Sequence, residues 1–326
     1  MRRATLGLAV LLLASPTASA SGPWIHAGPP AFPPMSAVTA QGNTLFALAR
    51  DGGVWRSVAG AGWAKRSTRP NPGTTVLSAS PGALYISSTD PKILSRSNNG
   101  GATFNRCGRE GLPSGSPYVV GTANMRVGVL RGRRLALSTN GCRSWKRQRG
   151  LSGDVRTIAR SGTTWYAITE RPRAKREQRF RLMASTNLGR TWRVRATRTA
   201  MKLGAPPRLA VNSLIADLVT KDRLWLVHDN RLARSNDGGR TWTDVTPPSL
   251  RVTAVAPSTT RANVVEALGL TSTRRAIVRT SSNGGASWTD TVAPDIGAVP
   301  VGNWLLASTA SRVAVLGAAG VWTWTF

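Results

Sequence analysis

Ser235-Asn236-Asp237-Gly238-Gly239-Arg240-Thr241-Trp242 is one of five near copies of a single eight-residue motif. The others begin at Ser97, Ser138, Ser185 and Ser281 and end at Phe104, Trp145, Trp192 and Trp288, and a degenerate copy runs from Ser57 to Trp63. Each has the composition of a tight turn. Asn or Asp followed by Gly accepts the positive φ a hairpin needs, the hydroxyl and amide side chains bond local backbone groups, and the closing aromatic residue anchors by burial. The leading serines are 40, 41, 47, 50 and 46 residues apart, the length of one four-stranded propeller blade.

Outward from each turn, hydrophobic residues alternate as half-buried strands do. Residues 45–48, 84–87, 165–168 and 224–227 take one place in the repeat, and 54–57, 93–96 and 231–234 take the next, running into the motif. Residues 36–40, 75–79 and 252–256 open their units, and the motif Trp begins the fourth strand. The last unit, from Trp304 to Thr323, stops short of a fourth strand, while Trp24-Ile25-His26 resembles the strand that follows a motif. Residues near 22–28 are therefore expected to complete the last blade and leave no open sheet edge. The expected fold is all-β: a single monomeric seven-bladed β-propeller over residues 21–326, with six or eight blades within the counting error.

The first twenty residues carry Arg2 and Arg3, an apolar run over 6–14, and Ala18-Ser19-Ala20, the pattern of a cleavable secretory signal. No later stretch approaches the ~20 apolar residues of a transmembrane helix, so a secreted or extracytoplasmic protein is expected. The formal charge is +30, and only six of the 44 basic residues are Lys. Such a balance predicts attraction to anionic glycans, acidic proteins or membrane surfaces, although Arg-rich composition is also what a GC-rich bacterial genome yields. One basic tract stands out, Arg171, Arg173, Lys175, Arg176 and Arg179, an insertion between two strands of the fourth unit that is expected to project as a binding loop. It has no interleaved aromatics, which argues against base stacking on nucleic acid. Cys107 and Cys142 are the only cysteines, and in an oxidising compartment a single disulfide between adjacent blades is the economical reading. No metal-ligand cluster, Gly-rich phosphate loop or cofactor motif appears, so none of these is expected.

The repeated turns resemble the Asp-box, or BNR, family, whose pattern is Ser-x-Asp-x-Gly-x-Thr-Trp. The resemblance is carried by Ser97, Asn99, Gly101 and Phe104; by Ser138, Asn140 and Trp145; by Ser185, Asn187, Gly189 and Trp192; by Ser235, Asp237, Gly239 and Trp242; and by Ser281, Asn283, Gly285 and Trp288. Only Asp237 keeps the eponymous Asp. The resemblance implies a propeller with the boxes on the outer part of each blade. It leaves function open, because such repeats occur in sialidases, xyloglucan-active glycoside hydrolases, sortilin-type receptors and photosystem assembly factors.

A sialidase-like exo-glycoside hydrolase needs an arginine cluster, a Tyr nucleophile with a Glu partner, and an Asp acid/base. The chain has three tyrosines, and Tyr85 and Tyr166 fall at a repeated aromatic strand position, where packing accounts for them. Glu266 takes the strand position held by Phe46, Tyr85, Tyr166 and Trp225, which places a carboxylate inside or between blades. A salt bridge to one of the many arginines is its simpler role and a functional carboxylate the sharper one. Asp154 and Asp217 are expected near strand starts. No catalytic residues are assigned. The reading that fits best is a secreted noncatalytic scaffold binding a protein or anionic glycan, with the divergent glycosidase as alternative.

Overall fold

The computed structural model describes residues 24–26, 35–49, 51–58, 62–67, 74–80, 82–88, 94–112, 117–121, 127–131, 134–171, 174–175, 179–203, 209, 213–291, 306–309, 311–317 and 320–325. The expected signal segment, residues 1–20, lies outside them.

The chain forms a seven-bladed β-propeller of four-stranded antiparallel blades. The first strand, β1 (Ile25–His26), belongs to the last blade. Blade 1 is β2 (Met35–Gln41), β3 (Thr44–Ala49), β4 (Val54–Ser57) and β5 (Trp63–Ser67), and blade 2 is β6 (Thr74–Ser80), β7 (Ala83–Ser88), β8 (Leu94–Ser97) and β9 (Asn105–Arg106). Blade 3 is β10 (Pro117–Gly121), β11 (Val127–Arg131), β12 (Arg134–Ser138) and β13 (Lys146–Arg147), and blade 4 is β14 (Asp154–Ser161), β15 (Thr164–Glu170), β16 (Phe180–Ser185) and β17 (Arg193–Thr197). Blade 5 is β18 (Leu214–Ala216), β19 (Leu224–His228), β20 (Arg231–Ser235) and β21 (Thr243–Asp244), and blade 6 is β22 (Arg251–Pro257), β23 (Val265–Leu270), β24 (Ala276–Ser281) and β25 (Thr289–Thr291). Blade 7 combines β26 (Leu306–Ser308), β27 (Arg312–Gly317) and β28 (Gly320–Thr325) with β1, which pairs as Ile25 with Thr323 and His26 with Trp322.

The repeated motif makes the hairpin between third and fourth strands, and its hydrogen bonds explain its composition. In blade 5 the Ser235 hydroxyl donates to Asp237 (2.8 Å) and accepts from the Gly239 N–H (2.8 Å), while the Thr241 N–H and hydroxyl both donate to the Asp237 carboxylate. The Asn copies reproduce this: Asn99 Oδ1 accepts from Ser97 (2.9 Å) and Thr103 N–H (3.0 Å), and its amide donates to the Thr103 hydroxyl (2.8 Å). Gly239 sits at φ +86°, and a Cβ there would lie 2.1 Å from Leu182 Cδ2 of the preceding blade. The motif therefore also sets how closely blades approach. Each closing aromatic packs on the preceding blade's core: Trp145 beside Tyr85, Trp242 beside Tyr166 and Trp288 beside Trp225. The turn thus staples each blade to the one before it.

Cys142 occupies the positive-φ place that Gly holds in other copies (φ +68°), and it is disulfide-bonded to Cys107 with Cα atoms 5.1 Å apart, joining blades 2 and 3. Between blades 7 and 1 the buried Arg312 guanidinium donates to the Ser57 hydroxyl (2.7 Å), the Ser57 carbonyl (3.1 Å) and the Asn43 carbonyl (3.2 Å). The ring is thus held by this side chain across the seam and by the β1–β28 ladder within blade 7.

Candidate binding face and two buried glutamates

In an antiparallel meander the first-to-second and third-to-fourth turns emerge at one end, and the second-to-third turns and blade connections at the other. The repeated motifs therefore share one face of the disc, here the motif face, and the connections share the opposite one. Exposed cations occur on both: Arg143, Arg190, Lys221, Arg240 and Arg261 on the motif face, and Arg134, Lys175, Lys202, Arg231, Arg251, Arg274 and Arg275 on the connection face.

The basic insertion is the second-to-third turn of blade 4, on the connection face. Its base is closed by Arg171 N–H donating to the Arg179 carbonyl (2.7 Å) and Ala174 N–H donating to the Arg171 carbonyl (2.9 Å). Arg173 and Arg176 lie outside the described residues. Lys175 is exposed, whereas Arg179 does not project as a free cation. It folds back onto the Glu170 carboxylate at 2.6 Å, and Arg156 from β14 closes on the other carboxylate oxygen, Nε at 2.6 Å. Glu170 is only 3 % exposed. Burial alone would raise its pKa, but hydrogen bonds and charge from Arg156 and Arg179 hold it below the usual glutamate value. Sequence reasoning misses this clamp because Glu170 ends its strand at no repeated position and its partners are two arginines among many.

Glu266 is fully buried on β23, opposite Ala256 and Thr280 in register. The expected salt bridge is not found among the described residues. Among the described residues neither carboxylate oxygen has a hydrogen-bond partner, and the Ser308 hydroxyl of blade 7 donates instead to the Thr309 carbonyl (3.4 Å). Burial pushes the Glu266 carboxyl up to about 8, against the weaker pull of Ser308 and Arg261. Aromatic side chains fill this position elsewhere, and Arg261, whose charge acts on Glu266, does not hydrogen-bond it.

The remaining placed carboxylates are mostly committed to local structure. Asp217 does not open a strand; it follows β18 and accepts the N–H groups of Val219 (2.9 Å) and Thr220 (2.8 Å), with Arg223 at 3.6 Å. Asp154 does begin β14. Asp51 accepts from Gly53 (2.7 Å), Asp290 pairs with Arg279 (2.6 Å), and Asp244 accepts from the Thr246 hydroxyl (2.6 Å) and pairs with Arg231 (3.6 Å).

The tyrosine chemistry runs against a nucleophile. Burial raises Tyr85, and burial with the Asp222 charge pushes Tyr166 up to about 12, its hydroxyl donating to Asp222 at 3.1 Å. Neither bonds a glutamate among the described residues, and no group of three or more His, Cys, Asp or Glu placed to hold a metal occurs among them. No helix among them is long and apolar enough to cross a membrane.

Residues 156–314 match the model of the DUF6242 beta propeller domain. No protein of curated function matches the chain by sequence. Among solved structures, YCF48 bound to D1 peptide superposes with a TM-score of 0.63 at 16% identity, covering 94% of this chain and 98% of that one. A chain of the Mitotic Checkpoint Complex gives 0.64 at 11% identity with 99% of each covered, and the GH74 xyloglucanase from Xanthomonas campestris gives 0.61 at 15%, covering 92% of this chain and 53% of that one. At these identities the likeness is one of fold. This chain spans about half the length of the xyloglucanase.

Proposed function

We propose that this chain is an extracytoplasmic, noncatalytic propeller of the Asp-box repeat family that docks an acidic partner protein through its cationic surface. One observation carries the reading. The placed carboxylates are mostly consumed inside the fold, by turns, by the Arg156–Glu170–Arg179 clamp or by burial, while exposed cations are left in excess on both faces. A surface of that kind raises local concentration and on-rates for anionic partners, and among the described residues most carboxylates are already engaged, which favours a binding role over hydrolysis. The Ser-x-Asn/Asp-x-Gly turns support the repeat assignment. The N-terminal pattern and the Cys107–Cys142 disulfide support export. Propellers of the same fold carry a peptide or sit in a multiprotein complex, as YCF48 with D1 peptide and the Mitotic Checkpoint Complex do, which favours a protein over a glycan.

The test is a binding titration of the protein against polyglutamate, heparin and anionic vesicles at rising salt, with sialoside hydrolysis followed in the same wells. Binding of polyglutamate that salt weakens, without turnover, is expected. Heparin bound in preference to polyglutamate would move the partner to an anionic glycan, and turnover would overturn the scaffold reading.

A further inference from the structure

On the connection face, the segment that joins blade 5 to blade 6 leaves a shallow, open groove of about 640 Å³ against the blade 6 turn at Ser272. Buried Pro247 and Leu250 line it together with exposed Arg231, Asp244 and Arg251. Arg251 pairs in register with Leu270 of β23, and Ser272, in the turn that carries the exposed Arg274 and Arg275, lines the groove.

The cleft is built rigidly. Leu250 presses onto Gly269, where a Cβ would lie 2.6 Å from Leu250 Cγ and 2.5 Å from the Arg251 carbonyl oxygen. The Pro248 carbonyl accepts from the Arg279 guanidinium, which Asp290 holds in turn. Thr246 ties the segment to β20, its hydroxyl accepting the Leu232 N–H (2.9 Å), and two consecutive prolines fix their own φ. Such a wall costs little ordering when a ligand arrives.

Its charge is unbalanced. The guanidinium groups of Arg251, Arg274 and Arg275 are exposed and make no bond to the described residues. Arg231 shares Asp244 only at 3.6 Å and in solvent, a contact of little worth. The single carboxylate of the site is already engaged by Thr246.

From an apolar, preformed floor rimmed by guanidinium groups, we propose that this cleft is the docking site for a short acidic peptide segment, an aliphatic side chain resting on Pro247 and Leu250 and flanking carboxylates taken by Arg251 and the Arg274–Arg275 turn. This rests on the reading that the protein docks an acidic partner, and the experiment separates the two. A fluorescent peptide of alternating Glu and Leu is titrated into the full protein by anisotropy, with labelled heparin in parallel. Arg251→Ala and Arg274→Ala are each expected to weaken peptide binding about tenfold, the worth of one charge-assisted contact. Arg134→Ala and Lys175→Ala, on other blades, are expected to change it less than twofold. Gly269→Ala lifts the floor without removing a charge, so it should weaken the peptide and leave heparin unchanged, with thermal unfolding confirming a folded variant. Equal loss across all four cation variants would overturn the cleft and keep the cationic surface. Absence of binding to both probes would overturn both.

Discussion

Glu170 and Glu266 are both buried glutamates on the second strand of a blade, yet they meet opposite surroundings. Glu170 ends β15 where the strand opens onto the connection face, and two arginines enter from β14 and from the turn before β16 to hold it charged. Glu266 lies near the start of β23, toward the motif face, against Ser308 of the next blade and, among the described residues, without a hydrogen-bond partner for either oxygen. The chain has 44 basic residues, so supply of positive charge does not decide the difference. At Glu170 two guanidinium groups close on the carboxylate, whereas at Glu266 none does among the described residues. Deeper in the seam the cost of burying a charge is met by staying protonated.

The largest expected effect comes from abolishing the uncompensated member. With its folded pKa near 8 and an ordinary value of 4.5 when unfolded, Glu266 binds a proton in the folded state that the unfolded state releases between those pH values. Stability therefore falls as pH rises through that window, by up to ~1.4 kcal/mol per unit. Glu266→Met, apolar and of similar length, should remove the slope. Urea unfolding is expected to show the variant more stable than wild type by about 4 kcal/mol at pH 8, with the gain shrinking towards pH 5. A wild-type profile that is flat from pH 5 to 8 would mean that Glu266 is ionised and partnered after all.

Breaking the other member should act in the opposite sense. Glu170→Gln leaves Arg156 and Arg179 facing a neutral amide, and because these arginines are 32% and 42% exposed the loss is smaller than for a fully buried pair, on the order of 2 kcal/mol at pH 7. The lowered pKa of Glu170 means that its contribution is present above pH 4.5 and lost as pH falls through the folded value. The variant should therefore unfold at lower urea at pH 7 and converge with wild type in acid. Equal midpoints at pH 7 would show the clamp to be a surface contact.

These two residues also mark how far the sequence could be read. The motifs at Ser97, Ser138, Ser185, Ser235 and Ser281 are visible because a hairpin of fixed geometry demands the same side chains each time, and the strands around them follow from alternation. Glu266 is legible for the same reason: it breaks a repeated register, so its burial can be read against Tyr85 and Tyr166. Nothing in the sequence predicts that its oxygens find no hydrogen-bond partner among the described residues, since that is set by tertiary packing. Glu170, the turn role of Asp217 and the cleft above Gly269 belong to strand ends and connections, which obey no period. There an arginine tract reads as a projecting loop, although Arg179 turns inward to a carboxylate whose place is set by the tertiary fold.

The smallest effect extends the comparison to a carboxylate whose partners are local. Asp237 is the one acid among five equivalent turns. Burial would raise its pKa, but hydrogen bonds from Thr241, Ser235 and the Arg240 N–H bring it down to about 2. Asn at this position is already tested by four siblings, in which the amide donates to the Thr or Ser hydroxyl instead of the carboxylate accepting from it. Asp237→Asn therefore keeps the turn by reversing one hydrogen bond and should cost no more than about 1 kcal/mol at pH 7. The charged form contributes above pH 3.8 and is lost as pH falls towards 2. The wild-type advantage should thus vanish over that interval in acid unfolding curves. A loss well above 1 kcal/mol would mean that charge, rather than hydrogen-bond geometry, holds this staple, and that the four Asn turns are weaker seams than the one carrying Asp.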